Sequence, residues 1–274
     1  MIAGMPITDD HIHIDPVNGR GIEAAKDFRR AGGTHLFLVT KPSWSGGITP
    51  VTGEEYREVY ARTLAIAEEV RMVGLAVYVI MGVHPAEITR LAERMSLAEA
   101  EAVMCRGIEI AAGFVERGDA VALKSGRPHY PVDTDVWDAS NRVLAFALDM
   151  ARDAGCALQI HAESGPCSDI PDLARKAGIP TFRVVKHYAS PETPLTPSMI
   201  ATSDAIPEMA REGRLFTMES DYMDESSRPG AVIGPKSVPR ITRKLLESCA
   251  ITVEDAERIH RITPEKVYGV EIEV

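Results

Sequence analysis

The rhythm of the chain constrains its fold more than any single motif. Short apolar runs of strand length alternate with amphipathic segments of helix length from one end to the other. "MPITDDHIHID", "THLFLVTK", "GLAVYVIMGVHP", "DAVALKS", "CALQIHAES" and "TFRVVKHY" read as strands one to six. A weaker strand seven and a helix share "SMIATSDAIPEMAREG", and "RLFTMESDY" reads as strand eight. The intervening segments carry apolar residues at helical spacing, and one opens with a Ser-x-x-Glu capping box at Ser96. Eight such repeats in 274 residues predict an α/β chain folded as one (β/α)8 TIM barrel, a single domain over residues 1–274. An open doubly wound sheet is the alternative.

Composition narrows the function classes. A formal charge of −10 argues against gripping long nucleic acid through its phosphates, which needs clustered Lys and Arg. A local phosphate pocket stays open. The four cysteines, Cys105, Cys156, Cys167 and Cys249, form no C-x-x-C pair, so reduced thiols in a cytoplasmic protein are expected. "GLAVYVIMGV" is too short to span a bilayer, no secretory leader is evident, and no membrane partner is expected. The sequence leaves the oligomeric state open.

Placed on the barrel, the polar residues converge. In "DDHIHID" strand alternation sends His11 and His13 to one face and Ile12 and Ile14 to the other. Two imidazoles side by side make a poor core and a good half of a metal site. His84 ends strand three, Lys124 strand four, His161 strand five, His187 strand six and Asp221 strand eight. The C-terminal ends of barrel strands share one rim, where active sites are built. Four histidines plus an aspartate suit two divalent metal ions, zinc first by ligand preference, with manganese or magnesium as alternatives. His35 and His260 read as hydrogen-bonding surface or loop residues, and His129 as either loop structure or a substrate contact. Glu219 should face the barrel interior as a supporting carboxylate.

These motifs resemble a known family. H-x-H on strand one, His on strands five and six and Asp on strand eight is similar to the amidohydrolase superfamily of metal-dependent hydrolases. "GVHP" and "ESDY" resemble its TatD-type branch, whose members are metal-dependent phosphodiesterases and nucleases, and "GRPHYPV" and "SDYMDESSRPGAVIGPKSVP" resemble the archaeal members. The resemblance covers nearly the whole chain. It implies that His11, His13 and Asp221 hold a more buried metal and His161 and His187 a more exposed one.

One position departs from that pattern. TatD-type proteins usually bridge the metals with a strand-four glutamate, where this chain has Lys124. An ammonium between two cations would be driven to lose its proton. The neutral amine can then take up carbon dioxide, giving a carboxylated lysine whose oxygens bridge the metals, as in phosphotriesterase-like branches. Otherwise Lys124 stays charged and the site holds one metal or none. Glu163 is an alternative source of the missing carboxylate.

The expected activity is hydrolysis of a phosphoester by metal-activated hydroxide, with Asp221 orienting the water and accepting its proton. His84, Arg127 and His129 are the candidate substrate contacts, Arg127 because guanidinium grips an oxyanion at two points. Lys186, Tyr188, Tyr222 and Arg228 are further rim residues with equally good structural readings. A small phosphoester is the expected substrate, and long nucleic acid is not. Hydrolysis of a lactone, cyclic amide or other carboxyl-type bond on the same binuclear site is the second reading. A barrel that binds a ligand without catalysis is the third.

Overall fold

The computed structural model describes residues 4–227 and 233–273. Among the described residues nine strands, all paired in parallel, lie in the order β8-β7-β6-β5-β4-β3-β2-β1-β9. They are β1 (Thr8–His13), β2 (His35–Val39), β3 (Ala76–Gly82), β4 (Ala122–Gly126), β5 (Ala157–His161), β6 (Val184–Lys186), β7 (Thr196–Ile200), β8 (Thr217–Glu219) and β9 (Tyr222–Met223). Sequential order with parallel pairing is the winding of a TIM barrel and not of a doubly wound sheet.

The single strand eight read from the sequence is two pieces. β8 pairs with β7, and β9 pairs with β1 on the opposite edge. The chain crosses between them at Ser220 and Asp221, where Asp221 takes a left-handed φ of 44°. Aspartate tolerates that conformation better than most residues. The Ser220 amide donates to Asp9 Oδ1 of β1 at 3.0 Å, so the ring closes at this step. Strand six is likewise shorter than read: a 3-10 turn, Thr181–Arg183, precedes its three residues.

The helices are α1 (Ile22–Arg30), α2 (Tyr56–Met72), α3 (Glu87–Ala92), α4 (Leu97–Glu116), α5 (Thr134–Asp153), α6 (Ile170–Ala177), α7 (Ile206–Arg211), α8 (Ser237–Glu247), α9 (Val253–Glu257) and α10 (Thr263–Tyr268). α4 begins at the expected capping box: the Glu99 amide donates to Ser96 Oγ and the Ser96 amide to Glu99 Oε2. The short α3 follows "GVHP" with no such sequence signal. Among the described residues no helix is long and apolar enough to cross a membrane.

The outward faces of the strands pack on the helices, with Ile12, Leu36, Leu38, Val79 and Leu158 against Phe28, Tyr60 and Leu144. Each such side chain contributes about 1.5–3 kcal/mol on leaving water. Inside the barrel, Phe37, Val39, Ile80 and Val185 meet Val267 and Tyr268, so α10 plugs the N-terminal end. That interior is not wholly apolar. Asp10, Gln159 and Glu219 are each 0% exposed, and Tyr268 donates to Asp10 Oδ2 at 3.0 Å. The expectation for His35 and His260 needs correction in one respect: both are buried. His260 accepts the Thr8 amide at Nδ1 and meets Thr242 Oγ1 at Nε2, tying the last helices to β1. All four cysteines are free.

Candidate metal centre

The H-x-H pair sits where β1 departs from regular pairing. Its register on β2 shifts between Asp9 and Ile12, a bulge that simple alternation does not anticipate. His11 and His13 nevertheless turn their Nε2 atoms toward each other, 3.1 Å apart. Their far nitrogens fix the tautomers. His13 Nδ1 lies 2.7 Å from the Val39 carbonyl, which can only accept. His11 Nδ1 lies 2.7 Å from Gln159 Oε1, and the Gln159 amide nitrogen is committed to the Asp10 carbonyl at 3.0 Å. Both Nδ1 atoms therefore carry the hydrogen. Burial, with Lys124 nearby, holds both histidines well below their usual pKa, so they are neutral. Two unprotonated nitrogens then face each other at hydrogen-bond distance, and Lys124 Nζ lies 3.4 Å from the His11 one, where it can donate. A divalent cation fits this donor set: imidazole nitrogens with their backs held by carbonyl oxygens.

Asp221 Oδ1 lies 3.7 Å from His11 Nε2. His11, His187 and Asp221 offer ligand atoms all within 4.8 Å of one another. His187 stacks on His11, ring centroids 4.0 Å apart. Its Nε2 meets His161 Nδ1 at 2.6 Å, and His161 Nε2 meets His129 Nδ1 at 2.7 Å. His84 lies beside His161, rings 4.7 Å apart, and its Nδ1 accepts the Ala86 amide, so the neutral ring keeps its hydrogen on Nε2. The structure thus brings His11, His13, His84, His129, His161, His187, Lys124 and Asp221 into one cluster. Glu219 supports it from inside: its Oε1 accepts the Tyr188 amide at 2.8 Å and lies 3.4 Å from His187 Nδ1.

Lys124 is 2% exposed, with Nζ 3.4 Å from His11 Nε2. Burial lowers its pKa to about 8, against the pull of Asp221 and Glu219. Two glycines make room for such neighbours. A Cβ on Gly82 would lie 1.9 Å from the Lys124 carbonyl oxygen, and one on Gly126 1.7 Å from that of His161. Only glycine lets β3 and β4 end this close to the next strand.

Arg127, expected as a substrate clamp, points its guanidinium at two carboxylates. All five of its N–H donors are engaged. Nε donates to Glu163 Oε2 at 2.8 Å, Nη1 to Asp169 Oδ2 at 2.7 Å and Asn141 Oδ1 at 3.3 Å, and Nη2 to Asp169 Oδ1 at 2.8 Å and to Glu163 Oε1. Burial works against its charge, but Asp169 and Glu163 outweigh that and raise its pKa. Glu163, weighed as a bridging carboxylate, is taken up by this pairing. Lys186 turns its Nζ to the His187 carbonyl at 2.8 Å, Tyr188 is 52% exposed at the rim, and Tyr222 donates to Asp224 Oδ1. Arg228 lies outside the described residues. A cleft of about 460 Å³ opens nearby, between the loops after β1 and β2 and helix α2, but the histidine cluster does not line it.

Sequence reading missed Gln159, although it precedes His161 by two residues and so shares its inward face. It also missed Asp169, Gly126 and the Val39 carbonyl. The last has no side-chain signal at all.

Histidine and carboxylate side chains that could hold a metal, converging at the C-terminal ends of a parallel barrel, are the arrangement of the metal-dependent hydrolases. The chain matches the family model described as TatD related DNase over residues 8–269 and belongs to that family. An uncharacterised protein of Methanocaldococcus jannaschii is 35% identical over 286 residues, covering 100% of this chain and 99% of that one. Three solved structures share the fold. A phosphotriesterase homology protein of Escherichia coli, complexed with phosphate in its active site, has a TM-score of 0.64 at 12% identity, covering 98% of this chain and 99% of its own. A TatD homologue of Escherichia coli K12 has 0.62 at 16%, covering 96% and 98%. A mutant PTE-like lactonase of Deinococcus radiodurans has 0.62 at 14%, covering 97% and 96%.

Proposed function

We propose that this chain hydrolyses a phosphoester at a two-metal centre. The observation that carries the reading is the pair of unprotonated Nε2 atoms of His11 and His13, 3.1 Å apart and backed by Gln159 and Val39. In this reading His11, His13 and Asp221 hold one divalent cation, zinc by ligand preference, and His161 and His187 the other. Bound cations supply Lewis-acid polarisation of a phosphoryl or carbonyl oxygen and an acidified water.

The chain's own residues do the rest. Asp221 orients the attacking water and takes its proton. His84 Nε2–H and His129 face the substrate, while Glu219 steadies His187. Lys124 reacts with carbon dioxide: the free amine forms a C–N bond, one proton leaves, and a carbamate replaces the charge of an ammonium. Burial lowers the Lys124 pKa, which makes the free amine that this uptake needs easier to reach than in an exposed lysine.

The family, and the phosphate in the active site of the Escherichia coli neighbour, favour phosphoesters. The lactonase neighbour supports the second reading, a carboxyl-type bond at the same centre. Protein loaded with zinc and bicarbonate should bind two metals per chain and turn over p-nitrophenyl phosphodiesters faster than lactones or cyclic amides. The reverse preference would install the second reading. Folded protein that retains no metal would remove both.

A further inference from the structure

We infer that Arg127 is a positioning residue that locks the loop after β5, residues 162–169, and thereby holds His161 in the candidate metal centre. The inference rests on the site reading above. Arg127 is 3% exposed, and its guanidinium binds both ends of that loop at once, Glu163 near the start and Asp169 at the end. Trp137 of α5 lies under its plane, 4.7 Å from guanidinium carbon to ring centroid. Asn141, one turn further along α5, takes the remaining hydrogen.

Its backbone does a related job. The Arg127 amide donates to the His161 carbonyl at 2.9 Å, and its neighbour Gly126 pairs with His161 in register. One residue therefore holds His161 by main chain and the segment behind it by side chain. The anionic half of the lock faces outward, with the Glu163 side chain 34% and the Asp169 side chain 57% exposed. Removing those carboxylates should loosen the loop without opening the core.

The alternative is that Arg127 is a substrate clamp kept in check by the two carboxylates. The two ideas oppose each other in the double variant Glu163→Gln/Asp169→Asn. A positioning role predicts that this variant and Arg127→Lys, which cannot make the planar paired contacts, retain about one zinc per chain where wild type retains two. It also predicts at least tenfold faster amide exchange in residues 162–169, with β1 unchanged, and a fall in kcat with KM little altered. A clamp released from restraint predicts unchanged metal and exchange and a lower KM in the double variant. That result would overturn the proposal, as would an Arg127→Lys protein with wild-type exchange and metal content. Wild type that binds no zinc would break the site reading instead, and the exchange measurement would still decide whether Arg127 locks the loop.

Discussion

The two halves of the candidate centre are built differently. In the inner half, His11 and His13 have each far nitrogen tied to an oxygen that can only accept, so the two facing Nε2 atoms carry no proton of their own. In the outer half, His129, His161 and His187 meet nitrogen to nitrogen, and His161 has both nitrogens against other imidazoles. A neutral imidazole carries one hydrogen, so His161 can donate to only one of these neighbours. The inner half is preorganised by its supports. The outer half is organised by its backbone seat and by the loop that Arg127 holds. An inner ligand should therefore fail through its tautomer, and an outer one through its position.

The largest effect should come from Gly126→Ala. Its methyl group would lie 1.7 Å from the His161 carbonyl oxygen, so β4 and β5 must separate. We expect about 3 kcal/mol of lost stability in a denaturant melt, together with loss of the outer metal. A variant with wild-type stability and two metals would show that the outer half does not depend on this seat.

Gln159→Leu tests the inner half. It removes the acceptor of His11 Nδ1 and leaves buried polar groups unpaired, at a cost of about 1–3 kcal/mol. Zinc affinity should fall about 10–100-fold, the usual result of deleting a ligand's hydrogen-bond partner. An unchanged zinc titration would mean that the tautomer is fixed by something else.

Lys124 joins the halves. Lys124→Glu should bind two metals with no need for bicarbonate, whereas Lys124→Met should bind fewer with or without it. Equal bicarbonate dependence in wild type and Lys124→Glu would remove carboxylation from the picture.

The smallest effect lies away from both halves. Glu87 accepts the Ser43 amide and hydroxyl, anchoring the loop after β2, and burial raises its pKa from 4.5 to about 7. A raised carboxyl pKa means that the folded state holds the proton more tightly. The stabilisation is complete below pH 4.5 and is lost as pH rises through 7. Wild type should therefore lose about 1 kcal/mol between pH 6 and 8 that Glu87→Gln does not lose. Parallel pH profiles for the two proteins would refute this.

Most of the architecture was legible because each strand is a short apolar run and each helix repeats at its own period. The capping box at Ser96 fixed one helix start outright. The split of strand eight was not legible, since "FTMESDY" is continuous as a pattern and the break depends on the left-handed Asp221. The short α3 lacked a cap or a long periodic run. In the site, residues that face the rim could be named from strand ends alone. Their supports could not, because a carbonyl such as that of Val39 has no side-chain signature. Arg127 shows a different limit of the sequence. Its chemistry suits an oxyanion, but Glu163 and Asp169, which satisfy it, lie 36 and 42 residues away in sequence.

The closure of the ring at Asp221 has a thermodynamic consequence. The residue that turns the chain from β8 into β9 also offers its carboxylate beside His11. Under the proposed ligand set, joining the two edges of the sheet and loading the centre are one linked equilibrium, so a bound cation adds RT ln(1 + [M]/Kd) to the stability of the seam itself. Stripping the metal would then loosen the barrel first where its last strand meets its first, and the protein's own architecture would report whether its centre is filled.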